Sequence, residues 1–213
     1  MQSFRVFCLG TILSLNVSAC LADGLVGNQV MWGTDKRAPV RVGDRTVCTL
    51  MEIEWPTTIE NENGDWVFIG DNKYKGWVKR SAVVSIDEFV RRATAQLAKR
   101  PTALAYSERG SAWYAMGEYD RAIKDHTEAL RLERSVQHKG VKYRNRGQAY
   151  LAIGDTEAAI NDFSEAIRLI HDRPTCLYEC YNARAVAYER LGKDELAGAD
   201  RQEAERIKQS LPK

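Results

Sequence analysis

The sequence predicts a chain of the multidomain β + α class, a small β-barrel followed by an all-α solenoid of helical hairpins. Three observations predict it. From Leu104 to Ile207 the chain repeats itself at steps of 37 and 38 residues: Tyr106, Tyr143 and Tyr181; Arg109, Arg146 and Arg184; Gly117, Gly154 and Gly192; Ala122, Ala159 and Ala197; Asp125, Asp162 and Asp200. A fixed period in this range marks stacked supersecondary units. Between 26 and 84, short β-type runs alternate with Gly/Asn/Asp turn formers, a pattern of small barrels and sandwiches. At Val84 the period of two gives way to helical spacing, which sets a boundary there.

Composition narrows the function classes. The chain has 213 residues, with 28% charged and 44% hydrophobic, the balance of an ordinary globular protein. Its formal net charge is +2, and residues 24–84 carry eight Lys/Arg against eight Asp/Glu while 85–213 carry 22 against 20. Neither part holds a basic patch suited to phosphate, so nucleic acid is not an expected partner.

Residues 1–22 read as a targeting segment, with Arg5 ahead of an apolar run from Val6 to Val17. Its ending stays open between cleavage after Ala19 or Ala22 and lipidation of Cys20, because Val17-Ser18-Ala19-Cys20 resembles a bacterial lipobox. The run is short for a membrane span, so contact with a membrane is expected only through such a lipid anchor. The reading is an exported protein of the periplasm or cell envelope. Export leaves Cys48, Cys176 and Cys180 in the mature chain, an odd number. Cys176 and Cys180, four apart, are either a disulfide or small packing residues. His126, His138 and His171 show no ligand spacing with them, so no metal and no cofactor is expected.

The β-type runs of the first part are 30–32, 38–42, 46–50, 51–55, 65–69 and 75–78, with turn formers at 33–35, 43–44, 61–64 and 70–72. Asn63-Gly64 ahead of Asp65-Trp66 is a strong hairpin turn sequence. Asn63-Gly64-Asp65-Trp66-Val67, Lys75-Gly76-Trp77-Val78, Ser81-Ala82-Val83-Val84 and the early Ala38-Pro39-Val40-Arg41 resemble a bacterial SH3-like domain. The resemblance covers about 60 residues and implies an SH3-like β-barrel over 26–84. Four tryptophans, Trp32, Trp55, Trp66 and Trp77, fall in it. A barrel this small needs large side chains to fill it, which expects Trp66 and Trp77 in the core. The alternative takes Trp55, Trp66, Tyr74 and Trp77 as an exposed groove for an extended peptide.

Ser85-Ile86-Asp87-Glu88 reads as a capping box, and Phe89, Val90, Ala93 and Leu97 recur on one face of the helix it opens, up to Arg100-Pro101. Helix pairs follow at 104–116 with 119–134, 139–153 with 156–170, and 175–191 with 194–209, the connections lying around 135–140 and 170–175. Tyr106, Gly110, Trp113, Gly117, Tyr119, Ala122 and Ala129, with their counterparts in the next two copies, resemble the tetratricopeptide repeat family. The family's closing proline is missing from all three copies and occurs only as Pro101. Residues 85–101 therefore read as the second helix of a degenerate leading unit that docks onto the barrel, 102–209 as three full pairs, and 210–213 as a tail. In the last copy Ala185 stands for Gly, and Gly198 and Arg201 replace an apolar pair, as suits an end helix facing water.

The recurring Arg109/Arg146/Arg184 and Asp125/Asp162/Asp200 are expected to pair across each hairpin and to set its register. A second stripe is the binding candidate: Leu104, Ser107, Ser111 and Tyr114, then Val141, Arg144, Gln148 and Leu151, then Glu179, Asn182, Val186 and Glu189. The resemblance implies that these residues line a concave surface that holds a peptide. His126 stands where the second copy has Phe163, so it is expected at the edge of the core. No metalloprotease, serine-hydrolase, phosphate-loop or Cys–His pattern is present, so no catalytic residue is assigned. The expectation is a non-catalytic scaffold or adaptor for a protein or peptide partner. The alternatives are a peptidoglycan-binding module with a helical spacer and an accessory subunit of an envelope enzyme.

Overall fold

The computed structural model describes residues 29–33, 38–42, 44–49, 57–70 and 75–211. The targeting segment with Cys20, the β-type run at 51–55 with Trp55, and Tyr74 lie outside the described residues. Seven short strands come first: β1 (Gln29–Trp32), β2 (Pro39–Val42), β3 (Arg45–Thr49), β4 (Thr57–Asn63), β5 (Trp66–Gly70), β6 (Lys75–Lys79) and β7 (Val83–Ser85). They form an antiparallel sheet in the order β3-β2-β6-β5-β4-β1-β7.

The core of the sheet is Val30, Val40, Cys48, Ile59, Val67, Ile69, Val78 and Val83, with Ala38 and Ala82. Pleating sends successive side chains to opposite faces. With Val67, Ile69 and Val78 inside, Trp66, Phe68 and Trp77 must stand on the other face, where they are half-buried. This corrects the expectation that Trp66 and Trp77 fill the core: β-branched residues do that. Space is so tight there that a Cβ on Gly76 would lie 2.7 Å from the Arg41 carbonyl oxygen and 2.8 Å from Val40 Cγ1. The glycine of the Gly-Trp pair is thus required by the approach of β2 to β6.

The sequence 57–63 hid a strand. Its polar tail, read as turn formers from Asn61, pairs Asn61 with Phe68 and Asn63 with Trp66, past a register shift after Ile59. The turn itself is only Gly64-Asp65, with Gly64 at φ 57° and Asp65 outside the positive region. That is the glycine placement of a type II′ hairpin.

Seven helices follow: α1 (Ile86–Lys99), α2 (Ala103–Ala115), α3 (Tyr119–Leu132), α4 (Val136–Ile153), α5 (Thr156–Leu169), α6 (Pro174–Arg190) and α7 (Asp194–Ser210). Ser85 Oγ accepts from the Glu88 N–H at 3.3 Å, so half of the capping box forms. The other half does not, because the Glu88 carboxylate is taken by Arg91 and by Arg92 at 2.5 and 2.6 Å. Ile86, Phe89, Val90 and Ala93 of α1 join one cluster with Met31 of β1 and Ala112 of α2, flanked by Trp32, Val84 and Trp113. Trp32 meets Phe89 edge-on at 5.6 Å. One apolar core therefore runs from the sheet through α1 into the helical array.

Three hairpins, α2–α3, α4–α5 and α6–α7, share one polar bridge. Arg109 Nε and Nη2 donate to Asp125 at 2.7 and 2.8 Å, Arg146 to Asp162 at 2.7 and 2.8 Å, and Arg184 to Asp200 at 2.8 and 2.7 Å. The remaining Nη1 reaches the helix before the hairpin: Thr94 at 2.9 Å, Thr127 at 3.1 Å and Ser164 at 2.9 Å. The guanidinium groups also lie 5.5–5.7 Å from the ring centroids of Tyr106, Tyr143 and Tyr181. Thr94 of α1 thus takes the place that Thr127 of α3 and Ser164 of α5 take in the later hairpins.

The connection expected at 135–140 is mostly helix. Ser135 Oγ caps α4 at the His138 N–H, so α4 begins one turn earlier than its counterpart α2. Gly140 is then a helix-crossing residue, and a Cβ there would come within 2.6 Å of Ile170 Cγ1 and 3.3 Å of Leu169 Cβ. The same logic holds at Gly110 against His126 and Gly147 against Phe163, where an added Cβ would meet ring atoms at 2.9 and 3.0 Å. His126 is 1% exposed, so it belongs to the core proper and not to its edge, and its Nδ1 has no hydrogen-bond partner among the described residues. In the last pair Gly198 faces open space and Arg201 is exposed, so the array ends on a polar helix.

Three outcomes follow from this packing. Gly140→Ala is expected to lower the melting midpoint although alanine favours helix by about 1 kcal/mol, because Ile170 cannot retreat; a raised midpoint refutes the crossing. Arg146→Ala leaves Asp162, 7% exposed, without its partner. Its loss is expected at about 3 kcal/mol in a denaturant titration, and an unchanged curve removes the bridge from the account. Burial, helped by the charges of Lys142, Arg146 and Arg144, pushes the His126 pKa down from 6.5 to about 3. Between those values the unfolded chain binds the extra proton, so stability falls as pH drops below about 6.5 and levels off only near 3. His126→Phe should therefore stabilise more at pH 5 than at pH 7.5, by about 2 kcal/mol. Equal gains at both pH values count against a buried neutral imidazole.

Candidate functional site

The first helices α2, α4 and α6 sit side by side, with α3, α5 and α7 behind them. Their adjacency is fixed near one end by Arg190 Nη1, which donates to the Leu151 carbonyl at 2.6 Å across the α4–α6 boundary. On this face the candidate stripe is partly open. Leu104 is 61% exposed, Tyr114 and Val186 are 36% exposed, and Ser107, Ser111, Val141, Gln148, Leu151 and Asn182 are half-buried.

Several polar members of the stripe are turned back on their own helices. Ser111 Oγ donates to the Ser107 carbonyl at 3.1 Å and Asn182 Nδ2 to the Tyr178 carbonyl at 3.1 Å, so neither donor needs a ligand. Glu189 is engaged by Arg201 of α7 at 2.6 and 2.9 Å. The Gln148 amide has no partner among the described residues and is open to a peptide group. Tyr114 packs against Tyr119 with ring centroids 5.3 Å apart, and burial raises its pKa.

Arg144 is the stripe's cation, and α6 closes over it. Its Nη1 donates to Glu179 and, at 3.5 Å, to Cys176 Sγ, while Nε and Nη2 donate to Asn145 at 3.2 and 3.1 Å. Asn145 and Cys176 were not legible as site residues, since neither falls on the i, i+3, i+7 stripe. Lys142 was missed too. It replaces the small Ala105 and Cys180 of the other copies, is 7% exposed, and reaches Glu133 at 2.7 Å. Burial opposes ionisation of the Glu133 carboxyl, but Lys142 and the Ser135 and Arg134 N–H groups outweigh it and lower its pKa.

Cys180 is fully buried against Ala166 and Ile170, with its pKa pushed up to about 12 by burial. Among the described residues no group of His, Cys, Asp or Glu is placed to hold a metal ion. On the sheet, Trp66, Phe68 and Trp77 share the outer face, Phe68 meeting Trp77 edge-on at 5.3 Å. Phe68 completes this aromatic face and was overlooked because a strand's Phe reads first as core.

Residues 143–170, from α4 through α5, match the tetratricopeptide repeat family. Among solved structures, MamA is 20% identical with a TM-score of 0.53, the match covering 61% of this chain and 70% of MamA. BtubC from P. vanneervenii is also 20% identical at a TM-score of 0.53, covering 60% of each chain. The second tetratricopeptide domain of Spaghetti, bound to an HSP90 peptide, is 28% identical over 54% of this chain and 98% of that one, with a TM-score of 0.45. No curated protein matches the chain. Residues 143–170 thus carry a matched tetratricopeptide repeat, and the chain shares its fold with MamA and BtubC over 61% and 60% of its length.

Proposed function

We propose that this chain is a non-catalytic adaptor that holds an extended segment of a protein or peptide partner across α2, α4 and α6. The observation that carries the reading is a division of labour within each repeat. The invariant Arg, Asp, Gly and Ala positions are consumed in packing, while the variable stripe keeps Leu104, Tyr114 and Val186 open between polar groups. The strongly shifted groups give no support to acid–base or nucleophilic chemistry: His126 and Cys180 are closed off by burial. The adaptor's setting is the bacterial cell envelope, reached through residues 1–22, with or without a lipid on Cys20; no described helix is long and apolar enough to cross a membrane.

The sheet is read as an SH3-like domain, supported by its short antiparallel strands around a Val/Ile core and by the packing need for Gly76. Its outward Trp66, Phe68 and Trp77 favour one second reading, in which this face takes peptidoglycan stem peptides and the helices act as a spacer. The two are separated on the full chain with an arrayed heptapeptide library and purified sacculi. Leu104→Asp combined with Val186→Asp should weaken library peptides by about tenfold or more, as expected for two lost apolar contacts, and leave sacculi unaffected. If only Trp66→Ala with Trp77→Ala changes binding, and the ligand is the sacculus, the function moves to the sheet.

A further inference from the structure

Among the stripe's own residues Arg144 is the one cation, and Asn145, Glu179 and Cys176 already engage its guanidinium. Arg144 has five N–H donors in a planar fork. Nε and Nη2, the edge that would clasp a carboxylate with two bonds, both point at Asn145 Oδ1. Nη1 is held by Glu179 and Cys176, from the next repeat. The side chains of Arg144 and Glu179 are 18% and 35% exposed, so the pair lies within reach of a ligand and is not sealed in a core. A carboxylate approaching Arg144 would have to displace Glu179, exchanging one carboxylate for another. The other ionised member of the stripe, Glu189, is matched by Arg201. Within the stripe, each ionised carboxylate is therefore paired with an arginine.

We propose that Glu179 is a specificity determinant: by masking Arg144 it makes the face select uncharged, apolar extended segments and reject acidic ones or a segment's terminal carboxylate. The proposal rests on the adaptor reading above and narrows its partner. Leu104, Tyr114 and Val186 supply apolar contact, and Gln148 supplies hydrogen bonds to a peptide group. Three adjacent helices at about 10 Å spacing span about 20 Å between outer axes. A heptapeptide strand at about 3.3 Å per residue matches that length.

The test uses the full chain and the arrayed heptapeptides in matched forms: neutral or Asp/Glu-bearing, each with a free or an amidated C-terminus. The wild type should retain neutral peptides and should not distinguish free from amidated ends. Glu179→Gln keeps the shape and leaves Arg144 uncompensated, and should shift preference toward carboxylate-bearing peptides by about tenfold, the scale of a hydrogen bond to a charged group. Arg144→Gln with Glu179→Gln removes both charges and should restore the wild-type ranking, which separates a charge effect from a folding defect. A wild type that prefers acidic or free-acid peptides overturns the mask and leaves the adaptor reading standing. An unchanged ranking in Glu179→Gln also overturns the mask. If no peptide binds any of the three proteins, the adaptor reading falls and the mask with it.

Discussion

Each repeat is held by a guanidinium that reaches three helices at once. Two of its nitrogens close a bidentate pair with an aspartate across the hairpin, and the third returns to a hydroxyl on the helix before it. The aspartates are 5–6% exposed, and a carboxylate so placed depends on a fully made fork. The geometry fixes where the hairpin's two helices meet and, through the hydroxyl, how far one repeat is rotated from the last. Glycine or alanine at 110, 147 and 185 lets the helices come close enough for the fork to close. Change the spacing of any helix and the three-way contact is lost. The constant separation of 16 residues between Arg and Asp within each hairpin, against connections that vary, follows from this constraint.

The helical array was legible because its period, its small residues and its Arg/Asp pairs all repeat, so three copies corrected one another. Helix α1 was legible from a capping serine and an apolar face. The finer sign, Thr94 in register with Thr127 and Ser164, became meaningful only once the third nitrogen of each arginine had a place to go. The sheet was harder. Polar Asn61-Glu62-Asn63 looks like a loop, yet it forms the wet end of β4, where pairing with β5 does not require burial. Trp66 and Trp77 misled for the opposite reason: size suggests the core, but the pleat had already assigned Val67, Ile69 and Val78 to it. In single strands alternation outranks bulk. Glycine at 140 misled because local propensity points to a loop, whereas the deciding contact, with Ile170, is thirty residues away.

The candidate site was legible as positions and not as chemistry. Helical spacing placed Arg144 on the binding stripe, but nothing local could show that Glu179, one repeat on, would meet it, or that Asn145 and Cys176 would complete its contacts. Those partnerships depend on the rotation between repeats, which the buried bridges set. Architecture and the surroundings of Arg144 are therefore coupled: the same inter-repeat geometry that satisfies Arg184 through Ser164 brings α6 over Arg144.

The shared core of Met31, Phe89 and Ala112 has a consequence for how such a chain can grow. The β sheet occupies the place where another repeat would otherwise stack, so the array is closed at its amino-terminal side. On its far side lies α7, where Gly198 faces open space and Arg201 is exposed. The two sides of the array are therefore unlike: an apolar core joins one side to the sheet, while the other presents Gly198 and Arg201.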